Sequence, residues 1–127
     1  MYLGLRSVIY PASDLATARD WFAGVLGVKP YFDQPFYVGF NLGGYEVGLD
    51  PDADATKGPI SYWGVENAEE ALTELVAAGA TDPSGVNDVG DGIRMATVQL
   101  PNGGGVFGII ENPAFVLAPI ASNGPGQ

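Results

Sequence analysis

The feature that most constrains this chain is a unit that occurs twice: a short strand, a polar cap, an amphipathic helix and a glycine stop. The clearer copy runs over residues 60–79. Ile60-Ser-Tyr-Trp-Gly-Val65 is an apolar run with two aromatics, which predicts a strand. Asn67 follows with Glu70 three residues later, the asparagine form of a capping box. Leu72, Leu75 and Val76 recur at helical spacing, and Gly79 can take the left-handed turn that ends a helix. The earlier copy has a strand over residues 5–10 and Asp14 as the cap. Leu15, Ala18, Phe22, Val25 and Leu26 then share one face of a helix over 14–26, closed by Gly27. Asp14 matches Asn67, and Ser7 matches Ile60.

Each copy runs on into strand hairpins. Tyr31-Phe32 starts an irregular strand, 36–42 and 45–49 pair across the Gly43-Gly44 turn, and 50–59 has the composition of an exposed linker. In the second copy, 81–92 is turn-rich, ending in an acidic, glycine-containing loop. Strands follow over 93–100 and 106–110, joined by a Pro101-Asn-Gly-Gly-Gly105 turn. Each copy therefore reads β-α-β-β with room for one more strand, and the fold class is α+β. We place module one at about 3–50, a linker at about 51–58, module two at about 59–113 and a tail at 114–127, all within one domain. Residues 115–120 are expected to pack as a short extension and 122–127 to lack anything to hold them. A helix covers only one face of its sheet, so the other face must be covered or used.

Composition removes several chemistries. The chain has no cysteine and no histidine, so disulfides, thiolate nucleophiles and imidazole bases or ligands are all excluded. Acid–base work would fall to carboxylates, tyrosines or the few lysines. A formal charge of −10 disfavours nucleic acid and anionic membrane and favours cationic ligands, although acidity also serves solubility. No apolar run approaches the length of a bilayer helix, and the first residues lack a charged start and apolar h-region, so a cytoplasmic protein is expected.

Asp14-Leu15, Trp21-Phe22 and Leu26-Gly27, followed by a hairpin, resemble the first half of a vicinal oxygen chelate protein. Gly64-Val-Glu-Asn67, Leu75, Gly79-Ala80 and Pro101-Asn-Gly103 resemble the second half. That superfamily includes glyoxalase I, bleomycin-resistance proteins and extradiol dioxygenases, and the likeness runs from about residue 3 to 112. It implies two βαβββ modules forming an open, curved sheet around a cleft, commonly in a homodimer. Family enzymes hold a divalent metal with His, Glu or Gln from four strands. The matching positions here are Ser7, Gly48, Ile60 and Gly108, none a useful ligand, so neither metal nor cofactor is expected.

The resemblance then implies a metal-free small-molecule binder of the bleomycin-resistance kind, sequestering a cationic or aromatic ligand, with antibiotic resistance as its role. Candidate ligand-binding residues are the four positions just named together with Phe36, Phe40, Tyr62 and Phe107 as stacking surface and Glu46 and Asp50 as acids. The alternative is a glyoxalase-like lyase or isomerase, or a dioxygenase-related enzyme, with a non-standard site in which Glu46, Tyr62 or Glu111 serves as acid or base. A third reading is a structural domain with a vestigial cleft. Glu111 is expected at a solvated boundary, Trp21 and Trp63 in the core, 103–105 in a turn, and Arg94 in either an anion contact or a surface salt bridge.

Overall fold

A computed structural model describes residues 2–115 of the 127-residue chain; the tail expectation for 116–127 lies outside it. The elements run β1 (Tyr2–Pro11), α1 (Leu15–Leu26), β2 (Phe32–Gln34), β3 (Tyr37–Leu42) and β4 (Tyr45–Asp50), then β5 (Ile60–Val65), α2 (Ala68–Ala77), β6 (Asn87–Gly90), β7 (Ile93–Gln99) and β8 (Val106–Glu111). Each half is therefore βαβββ. The backbone divides into two compact units, one of residues 7–59 and one of 60–115 together with 2–6. The start of β1 thus belongs with the second module, not with the first as its place in the chain suggested.

The first module orders its strands β2-β3-β4-β1. β3 is antiparallel to β2 and β4, and β1 runs parallel to β4 with Ser7 opposite Glu46 and Ile9 opposite Gly48. A parallel neighbour requires a crossover, which α1 and the hairpin supply. α1 begins where Asp14 accepts from the Thr17 backbone N–H at 3.2 Å and ends on Gly27 at φ 74°. Leu15, Ala18, Phe22, Ala23 and Leu26 press on a core of Ala12, Val38, Phe40 and Leu49. Phe40 and Leu49 are fully buried, and each such side chain contributes about 1.5–3 kcal/mol. Val25, one of the expected core positions, is exposed, and so is Trp21. The helix buries a stripe through positions 15, 18, 22 and 26, and 21 and 25 lie to one side of it.

The second module repeats the pattern in the order β5-β8-β7-β6, with β5 parallel to β8 and Tyr62 opposite Gly108. Asn67 accepts from the Glu70 backbone N–H at 2.9 Å, as the capping pattern predicts. Val65, Ala68, Ala71, Ala96 and Ile109 form the core under Leu72 and Leu75, while Val76 faces solvent. Trp63 stacks on Phe107 at 6.3 Å beside that core, and Arg94 takes the salt-bridge option with Glu69 at 3.3 Å. Two expectations change. Residues 87–90 form an exposed edge strand with a register shift against β7 where the sequence reads as a loop, because ladder pairing overrides the weak strand propensity of Asn-Asp-Val-Gly. Glu111 is not a free boundary carboxylate: its Oε1 accepts from the Ala68 backbone N–H at 2.9 Å and so caps α2 from β8.

Candidate functional site around Glu46

Side chains alternate along a strand, so the residues facing away from α1 follow directly from the register. They are Ser7 and Ile9 on β1, Glu46, Gly48 and Asp50 on β4, Tyr37, Gly39 and Asn41 on β3, and Phe32 on β2. Gly39 and Gly48 sit side by side in adjacent strands and open a hollow in this face. Two tyrosines fill it. A methyl group on Gly39 would meet the Tyr31 ring and the Glu46 carboxylate, both at 2.8 Å, and one on Gly48 would collide with the Tyr37 hydroxyl. Glycine in a strand interior costs stability, and here it makes room for large side chains to lie flat across the backbone.

Both rings aim their hydroxyls at one group. The Tyr31 O–H donates to Glu46 Oε2 at 2.5 Å, and the Tyr37 O–H donates to Oε1 at 2.9 Å. Ser7, 3% exposed, donates its O–H to Oε1 at 2.5 Å. Burial pushes both phenols well above their ordinary value of 10.0, and the neighbouring Glu46 charge pushes the same way by opposing a second anion. The two tyrosines therefore stay protonated donors at neutral pH. Among the described residues the ion pairs are made by Arg19 and Arg94, and none involves Glu46. Glu46 is thus a half-buried anion solvated by three hydroxyls and paired with no cation of its own module.

Aromatic surface surrounds this carboxylate. Phe32 contacts Tyr31, Phe36 and Tyr37 at centroid distances of 6.5, 5.8 and 6.2 Å. Phe36 is 62% and Tyr31 60% exposed. Tyr31, Phe32 and Phe36 thus present rings to solvent next to this carboxylate, while Tyr37 is more deeply buried. Asp50 shares the face, but its Oδ1 is turned to accept from the Asp52 backbone N–H at 2.9 Å.

The sequence candidates separate accordingly. Ser7, Glu46, Gly48 and Asp50 share one face of the first module, with Phe36 at the rim. Phe40 departs from expectation: it lies fully buried under α1 because β3 alternation turns it away from Gly39. Phe107 packs toward the α2 core, where its face is taken up by Trp63. Ile60, Tyr62 and Gly108 share the face of the second module turned away from α2, where the Tyr62 ring lies 2.5 Å from the point a Gly108 methyl would occupy. The residues that sequence reasoning missed are Tyr31 and Tyr37. Their signal was the pair of glycines inside β3 and β4, which a strand tolerates only when something approaches closely.

The metal that the sequence resemblance raises can be tested against the donors present. At the four corresponding positions the chain offers a serine hydroxyl, two glycines and an isoleucine, and both glycines are overlaid by tyrosines. Among the described residues, no three His, Cys, Asp or Glu side chains cluster closely enough to hold a metal ion. The donor set does not fit a divalent cation.

No family model matches the sequence, and no curated protein matches it. Solved structures do. A glyoxalase/bleomycin resistance protein/dioxygenase superfamily member from Vibrio splendidus 12B01 superposes with a TM-score of 0.63 at 20% identity, over 85% of this chain and 99% of that one. A methylmalonyl-CoA epimerase from Streptomyces coelicolor, in complex with 2-nitronate-propionyl-CoA, gives 0.69 at 10% identity, over 90% and 100%. The epimerase from Mycobacterium tuberculosis gives 0.61 at 18% identity, over 87% and 89%. The chain shares the fold of these glyoxalase/bleomycin resistance protein/dioxygenase and epimerase structures. The match covers nearly the full length of each of these structures, and the fold is what they share with this chain.

Proposed function

We propose that this chain is a metal-free small-molecule binding protein that holds a cationic, aromatic ligand on Glu46. The observation that carries the reading is a half-buried carboxylate at the meeting point of three hydroxyl donors, with no basic partner among the described residues and an exposed aromatic rim. An ammonium group brought to Glu46 would gain a charge-assisted hydrogen bond, and rings such as Tyr31 and Phe36 would stack on the ligand's apolar part or on the cation itself. Such a site favours an amine over an acid or a neutral analogue, which suits sequestration of amine-bearing antibiotics of the bleomycin kind. Calorimetric titration with benzylamine and with benzyl alcohol tests it. Benzylamine should bind the native protein and lose most of its affinity in Glu46→Gln, whereas equal binding of the two probes removes the acidic-site reading. The homodimer implied by the sequence resemblance is part of this proposal, and light scattering that returns the mass of one chain overturns that part alone.

A further inference from the structure

The chain has three arginines, and they are used differently. Arg19 reaches Asp20 at 3.0 Å and Asp33 at 3.5 Å, and Arg94 reaches Glu69 at 3.3 Å and Glu111 at 3.9 Å. Arg6 has no carboxylate partner among the described residues, in a chain with fifteen acids. Its guanidinium is nevertheless held in place. The Phe115 ring lies 3.8 Å from the guanidinium carbon, and a methyl group on Gly64 would come within 2.7 Å of Nε. One contact is a ring and the other a backbone with no side chain in the way, so neither of these contacts uses a guanidinium donor. The hydrogen bond it does make, from Nη1 to the Leu5 carbonyl, is long at 3.4 Å. A guanidinium has five N–H donors in a rigid fork, and fixing it in advance removes much of the entropy cost of binding.

We propose that Arg6 is an anchoring site in the second module for an oxyanion, the carboxylate or phosphate group of a small molecule. This is separate from the Glu46 site in residues, charge and ligand chemistry. Phe115 polarises no proton and supplies no countercharge; it holds the fork flat, so that two N–H groups can meet two oxygens side by side. Lysine at this position would keep the charge and lose both the stack and the fork.

The side-chain Nε–Hε resonances of the arginines read this directly, because Arg19 and Arg94 serve as internal references. Sodium acetate and sodium phosphate are titrated separately at constant ionic strength. The Arg6 resonance should shift saturably with an affinity on the order of millimolar, as befits a single ion contact, while Arg19 and Arg94 stay put. The anion giving the tighter curve identifies carboxylate or phosphate as the preferred group. Phe115→Leu should weaken that curve several-fold and Arg6→Lys should abolish saturation by calorimetry, with melting temperatures confirming that both variants fold. Shifts that grow linearly without saturation, or that affect all three arginines alike, show an adventitious ion only and overturn the proposal. An unchanged curve in Phe115→Leu removes the role given to the ring.

Discussion

Gly48→Ala is the sharpest perturbation of the Glu46 face. Gly48 does not have a positive φ, so alanine meets no backbone penalty there, and in an ordinary strand the change would be neutral or mildly stabilising. Here the new methyl group falls on the Tyr37 hydroxyl, 2.7 Å from the ring carbon that bears it and 3.1 Å from Ile9 Cγ1. The ring is rigid and its hydroxyl is tied to Glu46, so it must move as a body and release that hydrogen bond. Overpacking costs about 1–3 kcal/mol, and a hydrogen bond to a charged group about 1.5–3 kcal/mol. Because displacing the ring relieves part of the clash, the two do not add, and a net loss of about 2–4 kcal/mol follows. The decisive form is a cycle with Tyr37→Ala. Once the ring is gone, Gly48→Ala should cost under about 0.5 kcal/mol, which leaves a coupling of about 2 kcal/mol or more. Urea unfolding monitored by circular dichroism measures all four proteins. A coupling below about 0.5 kcal/mol would show that Tyr37 does not lie over Gly48, and the account of the glycine hollow would fail.

Three other outcomes follow from the same geometry. Tyr31 and Tyr37 have raised folded values against 10.0 when unfolded, so the folded state keeps protons that the unfolded state releases. Their contribution is complete below pH 10 and falls as pH rises beyond it, by at most about 1.4 kcal/mol per pH unit for each phenol. Absorbance titration should find three of the six tyrosines, Tyr2, Tyr31 and Tyr37, ionising late in the native protein, with Tyr31 and Tyr37 alone ionising earlier in Glu46→Gln; six uniform tyrosines would contradict this. Gly24→Ala, inside α1 with nothing within 4 Å, should stabilise by about 0.5–1 kcal/mol, and a loss would mean that α1 packs differently. Glu111→Ala strips the acceptor from the N–H of fully buried Ala68 and should cost about 1–3 kcal/mol. Asn67→Ala exposes a cap near solvent and should cost about 1 kcal/mol. The reverse order would deny Glu111 its capping role.

Local signals carried most of the fold. Both helix caps, Asp14 and Asn67, and the left-handed stop at Gly27 depend on residues within four positions of each other, so they could be read directly. Val25, Val76 and Trp21 were assigned to the buried side and are exposed, because apolar character at helical spacing does not say how wide a stripe the sheet covers. Strand β6 escaped for a related reason: its order comes from pairing with β7, not from its own residues. The site was half legible. Ser7 and Glu46 were singled out separately, yet their hydrogen bond depends on a parallel β1–β4 register set by residues 39 positions apart. Phe40 was misplaced because the parity of β3 decides which aromatics face the helix, and only the pairing of Gly39 with Gly48 settles that parity. Glu111 capping α2 is likewise a contact across 43 positions.

The central claim is that a carboxylate set among tyrosine hydroxyls, and not a metal, is the binding group of this protein. Thermal melting of chelator-treated protein tests it most directly, with benzylamine and bleomycin in one series and nickel, zinc, manganese and ferrous iron in another. A ligand at a hundred times its Kd stabilises by about 2.7 kcal/mol, enough to raise the melting temperature by several degrees. The account predicts that rise with a cationic ligand, its loss in Glu46→Gln, and no comparable rise with any of the metals. A strong rise with a divalent metal, or a cationic-ligand shift that survives Glu46→Gln, would contradict it.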